Sequence, residues 1–176
     1  LVLRYSLPQP GGDLTAPLKD AQRAIRLTRQ YAAEWNLAPD KIGIMGFSAG
    51  GHLASTAGTH FNSGPPDPVD SLNQISARPD FMILIYPVIS LKEPYLHRGS
   101  ARALLGEDPA PKLIHAFSNE LHVTADTPPT FLLHAGDDTS VPVENSLLFY
   151  QALQDSGISA ELHIYPEGGH GFSLAL

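Results

Sequence analysis

Lys41-Ile42-Gly43-Ile44-Met45-Gly46-Phe47-Ser48-Ala49-Gly50-Gly51-His52-Leu53-Ala54-Ser55-Thr56-Ala57-Gly58 is the stretch that decides the fold. Residues 41–47 form a short apolar run rich in Ile, with the length of a buried strand. From residue 49 to 59 the side chains are small or helix-compatible. Between the two lies Gly46-Phe47-Ser48-Ala49-Gly50, a G-x-S-x-G. A strand that turns at once into a helix presses the backbone against itself, so Gly46 and Gly50 are expected where side chains would clash. Ser48 is then expected on a strained turn, its hydroxyl clear of the sheet and at a helix N-terminus. That helix end favours a developing negative charge, to which the Ala49 N–H can donate. A five-residue G-x-S-x-G recurs by chance in Gly- and Ser-rich loops. The strand before it and the helix after it are what make Ser48 a candidate nucleophile.

Upstream, residues 1–7 read as a strand, and residues 8–13 as a loop. Thr15 is placed to cap a helix with Pro17 in its first turn. Leu18, Ala21, Ile25, Thr28, Ala32 and Trp35 follow helical spacing and predict one buried stripe, with Arg23, Arg26 and Arg29 on a solvated side. Asn36 and Pro39 are expected to end that helix. Downstream, residues 61–80 are rich in Pro, Gly, Ser and Asn and read as an irregular excursion, a pocket rim or a plain surface loop. Residues 81–86 are a continuous apolar run, a central strand closed by Pro87. Residues 93–126 hold weak helical pieces at 101–105 and 112–117. Residues 130–135 are another buried strand, followed by Gly136-Asp137-Asp138. Residues 143–155 predict a helix with a face of Leu147, Leu148, Ala152 and Leu153, capped by Gly157. Residues 160–165 alternate as a last strand, and His170 lies in the Gly-rich loop after it.

Strands alternating with helices, several of them apolar throughout, predict an α/β fold: a mostly parallel sheet with helices on both faces. In such sheets chemistry gathers at the carboxyl ends of the strands. Ser48, Asp138 and His170 each follow a different strand, in that order. The 176 residues suit one domain, and 43% hydrophobic residues suffice for a core. Eleven Lys and Arg stand against 18 Asp and Glu, a formal net charge of −7, and no basic cluster is present. That balance argues against a nucleic-acid partner. There is no Cys, hence no disulfide, and no run reaches the length of a membrane span. No targeting signal is visible, and the chain opens at Leu1 without an initiator Met, so the compartment is left open.

The chain resembles the α/β-hydrolases, and within them the acetyl-xylan-esterase-like (BD-FAE-like) group, next to the hormone-sensitive-lipase and prolyl-oligopeptidase branches. Three blocks carry the resemblance: residues 46–54, then His134-Ala135-Gly136-Asp137-Asp138-Thr139-Ser140-Val141-Pro142, then Gly168-Gly169-His170-Gly171-Phe172. The resemblance implies a serine carboxylesterase for small acyl esters, acetyl groups on xylan or other carbohydrates among them. Its catalytic residues would be Ser48, Asp138 and His170, with Ala49 in the oxyanion hole. The family pattern places the acid directly before a polar residue and a Val-Pro, which selects Asp138 and leaves Asp137 as a turn residue. His52 reads as a packed helix residue, and His134 and His163 as structural strand residues. His60, His97, His115 and His122 show no metal-site spacing, so neither a metal nor a cofactor is expected. A homo-oligomer is compatible with the resemblance.

The chain departs from the family in one respect. The His-Gly-Gly-Gly-like segment that supplies the second oxyanion donor is not found; Gly11-Gly12 is the only Gly pair before the elbow and follows the wrong strand. The strand leading into that segment would lie between the first strand and the Ser48 strand. Residues 1–176 are therefore expected to be a single, partial hydrolase domain lacking N-terminal strands. Two other readings stand beside this one: the two flanking strands pair directly, or a second chain supplies a strand. One missing oxyanion donor lowers the rate on the order of 10² to 10³. The competing functional readings are a prolyl-oligopeptidase-like peptidase and a non-catalytic hydrolase remnant.

Overall fold

The structure is a computed structural model that describes residues 1–8, 12–61 and 70–172. The loop expected at residues 8–13 and the excursion expected at residues 61–80 lie partly outside these ranges. Four short strands, β1 (Ile44–Phe47), β2 (Met82–Ile85), β3 (Thr130–Ala135) and β4 (Ala160–Tyr165), form one sheet in the order β1-β2-β3-β4. Every pair is parallel: Ile44 lies opposite Met82, Met82 opposite Thr130, and Thr130 opposite Ala160. Parallel neighbours need crossovers, and helices supply them. α2 (Ala49–Thr59) follows β1, α3 (Arg98–Leu105) and α4 (Pro111–Ala116) lie between β2 and β3, and α5 (Glu144–Asp155) joins β3 to β4. All four strands therefore end on one edge of the sheet.

Met82, Leu84 and Leu132 point to one face and pack with Ala54 of α2 and with Phe149 and Leu153 of α5. These two helices thus cover the same face. α1 (Ala16–Gln30) lies outside α2, joined to it through Ala21, Ile25, Leu53 and Ala57. On the opposite face Ile83, Phe131 and Leu133 are half-buried, and Met45 and Phe47 are exposed. Among the described residues, the helical cover expected on both faces is present on one. The buried side of α5 is Asn145, Ser146, Phe149 and Leu153, whereas Leu147, expected inside, is 43% exposed. Two polar residues take the inner positions because each is hydrogen-bonded there.

Three further expectations are corrected. Residues 1–8 form no strand, and β1 is bonded to β2 alone. Leu3 and Tyr5 instead pack on the α1–α2 cluster, and the Ser6 N–H donates to Asp20. An extended apolar segment becomes a strand only when a neighbouring backbone accepts it, so direct pairing with β1 is ruled out for these residues. Arg26 and Arg29 do not face solvent. Arg26 is 6% exposed and donates to the Ile75 carbonyl. Arg29 donates to the Pro39, Ser76 and Arg78 carbonyls and pairs with Asp80. Guanidinium groups here satisfy the carbonyls of Ile75, Ser76 and Arg78, which lie outside the strands. Trp35 lies past the end of α1 and is 44% exposed, stacked on Tyr31. No helix among the described residues is long and apolar enough to cross a membrane.

One buried side chain ties together the loops above the sheet. Asn145, with no exposed surface, accepts from the Ile89 and Ser90 N–H groups and donates to the Tyr95 and Pro142 carbonyls. The loop after β2 is thereby joined to the loop after β3. Asn145→Ala leaves two buried N–H groups and two partly buried carbonyls without that partner and is expected to lower stability by about 3 kcal/mol. Urea unfolding of the variant against the unsubstituted chain checks this.

Candidate active site

The elbow has the strained geometry that its sequence implies. Ser48 adopts φ 51° and ψ −118°, a backbone conformation rare for a residue with a side chain. Its N–H donates to the Ile85 carbonyl, and its own carbonyl accepts from the Gly51, His52 and Val88 N–H groups. A Cβ on Gly46 would lie 2.0 Å from the Gly50 carbonyl oxygen, so only glycine fits there. Gly50 is a correction: a Cβ on it would meet nothing within 4 Å. The second steric glycine is Gly51, whose Cβ would come 2.6 Å from that of Pro87, because this side of α2 packs on the end of β2. No side chain caps the start of α2. The Ala49 N–H, one of the helix's first N–H groups, has no intrahelical acceptor.

The loop after β4 crosses back over the sheet edge. Gly169 at φ 62° and Gly171 at φ 89° supply the left-handed turns that this path needs. The Gly169 N–H donates to Asp137, and the His170 ring comes within 4.8 Å of the Tyr86 ring, above the end of β2. His170 Nε2 then lies 2.8 Å from Ser48 Oγ, and Nδ1 lies 2.7 Å from Asp138 Oδ2. A carboxylate only accepts, so Nδ1 carries the proton and Nε2 is free to accept the Ser48 hydroxyl proton. The Asp138 side chain is fully buried, and its Oδ1 accepts from the Ser140 and Val141 N–H groups at 2.9 Å each. Burial alone would raise the Asp138 pKa, but His170 and these two N–H groups together hold it below the usual carboxylate range. Asp137 is exposed and turned away to Gly169, whose N–H holds its carboxyl low. A cavity of about 210 Å³ opens beside Ala49, walled mostly by apolar groups that include Leu53, Leu91, Leu104 and Phe117.

A family pattern spans most of the chain. The BD-FAE family model matches residues 9–153. The chain belongs to the BD-FAE family. It is 40% identical to the acetylxylan esterase of Xylanibacter ruminicola over 177 residues, covering 98% of this chain and 34% of that protein. It is 41% identical over 159 residues to endo-1,4-beta-xylanase B of Butyrivibrio fibrisolvens, covering 90% of this chain and 25% of that protein. Among solved structures, the acetyl ester-xyloside bifunctional hydrolase of Caldicellulosiruptor lactoaceticus superposes with a TM-score of 0.93 at 54% identity. That match covers 99% of this chain and 63% of the other. The chain thus spans about a third and a quarter of the two curated relatives and under two thirds of the solved neighbour.

The remaining histidines of this BD-FAE chain do other work. His52 is buried on α2, and its Nε2–H donates to the Phe117 carbonyl at 2.8 Å. His97 caps α3, its Nδ1 accepting from the Ser100 N–H. The rings of His60, His115 and His122 lie close together, His122 within 4.7 Å of His60 and 5.4 Å of His115. His163 lies exposed on β4 beside Glu161 and the Phe131 ring. Among the described residues, no three His, Asp or Glu side chains converge as metal ligands would. His134, read from the sequence as a structural strand residue, stands directly behind Asp138, with its Nε2 3.3 Å from Oδ2. No sequence spacing signals that contact, because it depends on how the chain turns after β3.

Burial pushes the His52 pKa down from 6.5 to about 4, against the opposing pull of the Phe117 carbonyl. The unfolded chain takes up this proton below pH 6.5, and the folded chain does so only near pH 4. The folded state therefore has its full stability from this group above pH 6.5 and loses up to about 3 kcal/mol as pH falls to 4. His60 and His134 are shifted in the same direction, also mainly by burial. His52→Gln keeps a donor for Phe117 and removes the titration. Urea unfolding at pH 6.5 and 4.5 is expected to show a fall about 2 kcal/mol smaller in this variant; equal falls would refute the assignment.

Proposed function

We propose that this chain carries a serine carboxylesterase site, with Ser48 as nucleophile, His170 as general base and acid, and Asp138 as the orienting acid. The observation that carries the reading is the continuous hydrogen-bonded line from Ser48 Oγ through both nitrogens of His170 to Asp138 Oδ2. A serine hydroxyl is a weak nucleophile at neutral pH and needs an oriented base within reach. His170 Nε2 takes the Ser48 proton as Oγ attacks the acyl carbon. Asp138 stabilises the imidazolium without itself becoming protonated. The negative oxygen of the tetrahedral intermediate receives the Ala49 N–H at the positive end of α2. The intermediate collapses as Nε2 returns the proton to the leaving alcohol, leaving an acyl-Ser48. Water, deprotonated by the same nitrogen, then attacks that ester and frees the carboxylic acid.

The substrate class proposed is an acetyl or other small acyl ester of a carbohydrate, xylan among them. The names of the Xylanibacter and Caldicellulosiruptor relatives support it.

Intact mass before and after a fluorophosphonate, with p-nitrophenyl acetate turnover measured beside it, tests the reading. The expected outcome is one adduct, absent together with turnover in Ser48→Ala. No adduct on a folded chain would favour the non-catalytic reading. Asp138→Asn is expected to lower kcat by about three to four orders of magnitude, and Asp137→Asn by less than about tenfold. A larger loss in Asp137→Asn would reverse the choice of acid. Release of acetate from acetylated xylo-oligosaccharides, without cleavage of a prolyl peptide, is the expected substrate pattern.

A further inference from the structure

Behind the triad lies a buried histidine that the acyl-transfer steps do not use. The side chains of His134 and Asp138 have no exposed surface. His134 Nε2 is 3.0 Å from the Val141 carbonyl oxygen and 3.3 Å from Asp138 Oδ2. Both oxygens are acceptors only, so Nε2 must carry a proton; it donates that proton to the Val141 carbonyl, with Asp138 Oδ2 close beside it. Nδ1, 2.7 Å from Ser146 Oγ on α5, accepts the hydroxyl proton of that serine. Burial of the imidazole favours this neutral form over the imidazolium. The Val141 peptide is held from both sides: its carbonyl accepts from His134, and its N–H donates to Asp138 Oδ1.

We propose that His134, held by Ser146, is a positioning residue for the triad acid. Its Nε2–H fixes the turn at residues 138–141 and orients the Asp138 oxygen that faces His170. The inference deepens the esterase reading and rests on its assignment of Asp138 and His170. Asp138 Oδ2 accepts from His170 Nδ1 at 2.7 Å, and the His134 ring nitrogen stands 3.3 Å from the same oxygen. The titratable groups facing the pair are His134 from β3, Asp137 beside Asp138 and the Tyr86 ring at the end of β2.

Removing the imidazole takes away the polar N–H that stands 3.3 Å behind Oδ2 and leaves the carboxylate charge less compensated on the His170 side. Asp138 then holds the Nδ1 proton more tightly, and the His170 imidazolium loses its proton at higher pH. His134→Leu is expected to raise the His170 pKa by roughly half a unit to one unit. The acid limb of kcat/KM should move up by the same amount, with kcat about tenfold lower and KM little changed. His134→Gln, whose amide N–H can reach the same acceptors, should restore the His170 titration and most of kcat.

The decisive measurement is the NMR titration of the His170 ring, its signal assigned by its loss in His170→Asn. This titration needs no turnover, so it reads the inference even if the chain proves inactive. Failure of the esterase reading would show separately, as absence of a fluorophosphonate adduct. A folded His134→Leu in which His170 titrates as in the unsubstituted chain overturns the proposal. Should His134→Leu not fold, Ser146→Ala decides, because it keeps the imidazole and removes the hydroxyl that holds it. A smaller upward shift supports the role, and no shift overturns it.

Discussion

A fully buried carboxylate at the end of β3 sets the terms for the loops above the sheet. An aspartate taken out of water keeps its charge only if its oxygens are met by donors. Asp138 finds three of them, two backbone N–H groups from its own turn and His170 in front, and the His134 ring nitrogen stands 3.3 Å behind. Each donor belongs to a segment that must be held still. The turn needs the Val141 peptide, the front donor needs the glycine-rich loop after β4, and the histidine behind needs β3 packed on α5. The tautomer of His170, and with it the free nitrogen facing Ser48, follows from the same carboxylate.

The loops that carry these groups are pinned by buried amides. Asn145 joins the loop after β2 to the loop after β3. Asn119 does the same for α2: its side chain donates to the His52 carbonyl and to the Ser55 and Thr56 hydroxyls, while its N–H donates to Ile89. Such bonds add little net stability, but an unmade partner in a dry interior is expensive, so they select one loop arrangement over others. The apolar core under them, from Ala54 to Leu153, fixes the spacing of β1, β2 and β3 and hence the distance between their ends.

Much of the architecture was legible along the chain. The apolar runs at residues 81–86 and 130–135 are strands, the elbow is a strand–turn–helix, and Gly157 ends α5 at φ 73°. These are local signals, set by side-chain period and by backbone conformations that few residues adopt. The misreadings share a cause. Residues 1–7 have strand composition, yet no backbone partner lies beside them. Arg26 and Arg29 have the charge of a solvated face, yet turn inward because unpaired carbonyls need donors. Leu147 has the composition of a core residue, yet Asn145 and Ser146 hold the inner side of α5 through hydrogen bonds to distant residues.

The sequence by itself determined that the runs at residues 41–47, 81–86, 130–135 and 160–165 would hold the strands of the sheet, and that a serine would sit on a strained corner at a helix start. Each follows from interactions among residues a few positions apart. Only the tertiary structure decided that Asp138 is buried against His170 while Asp137 turns to Gly169, that Gly51 rather than Gly50 joins Gly46 as a sterically required glycine, and that His134 stands behind the carboxylate. These outcomes depend on contacts such as that of His170 with Ser48, 122 positions apart. They exist because the parallel register brings the four strand ends to one edge.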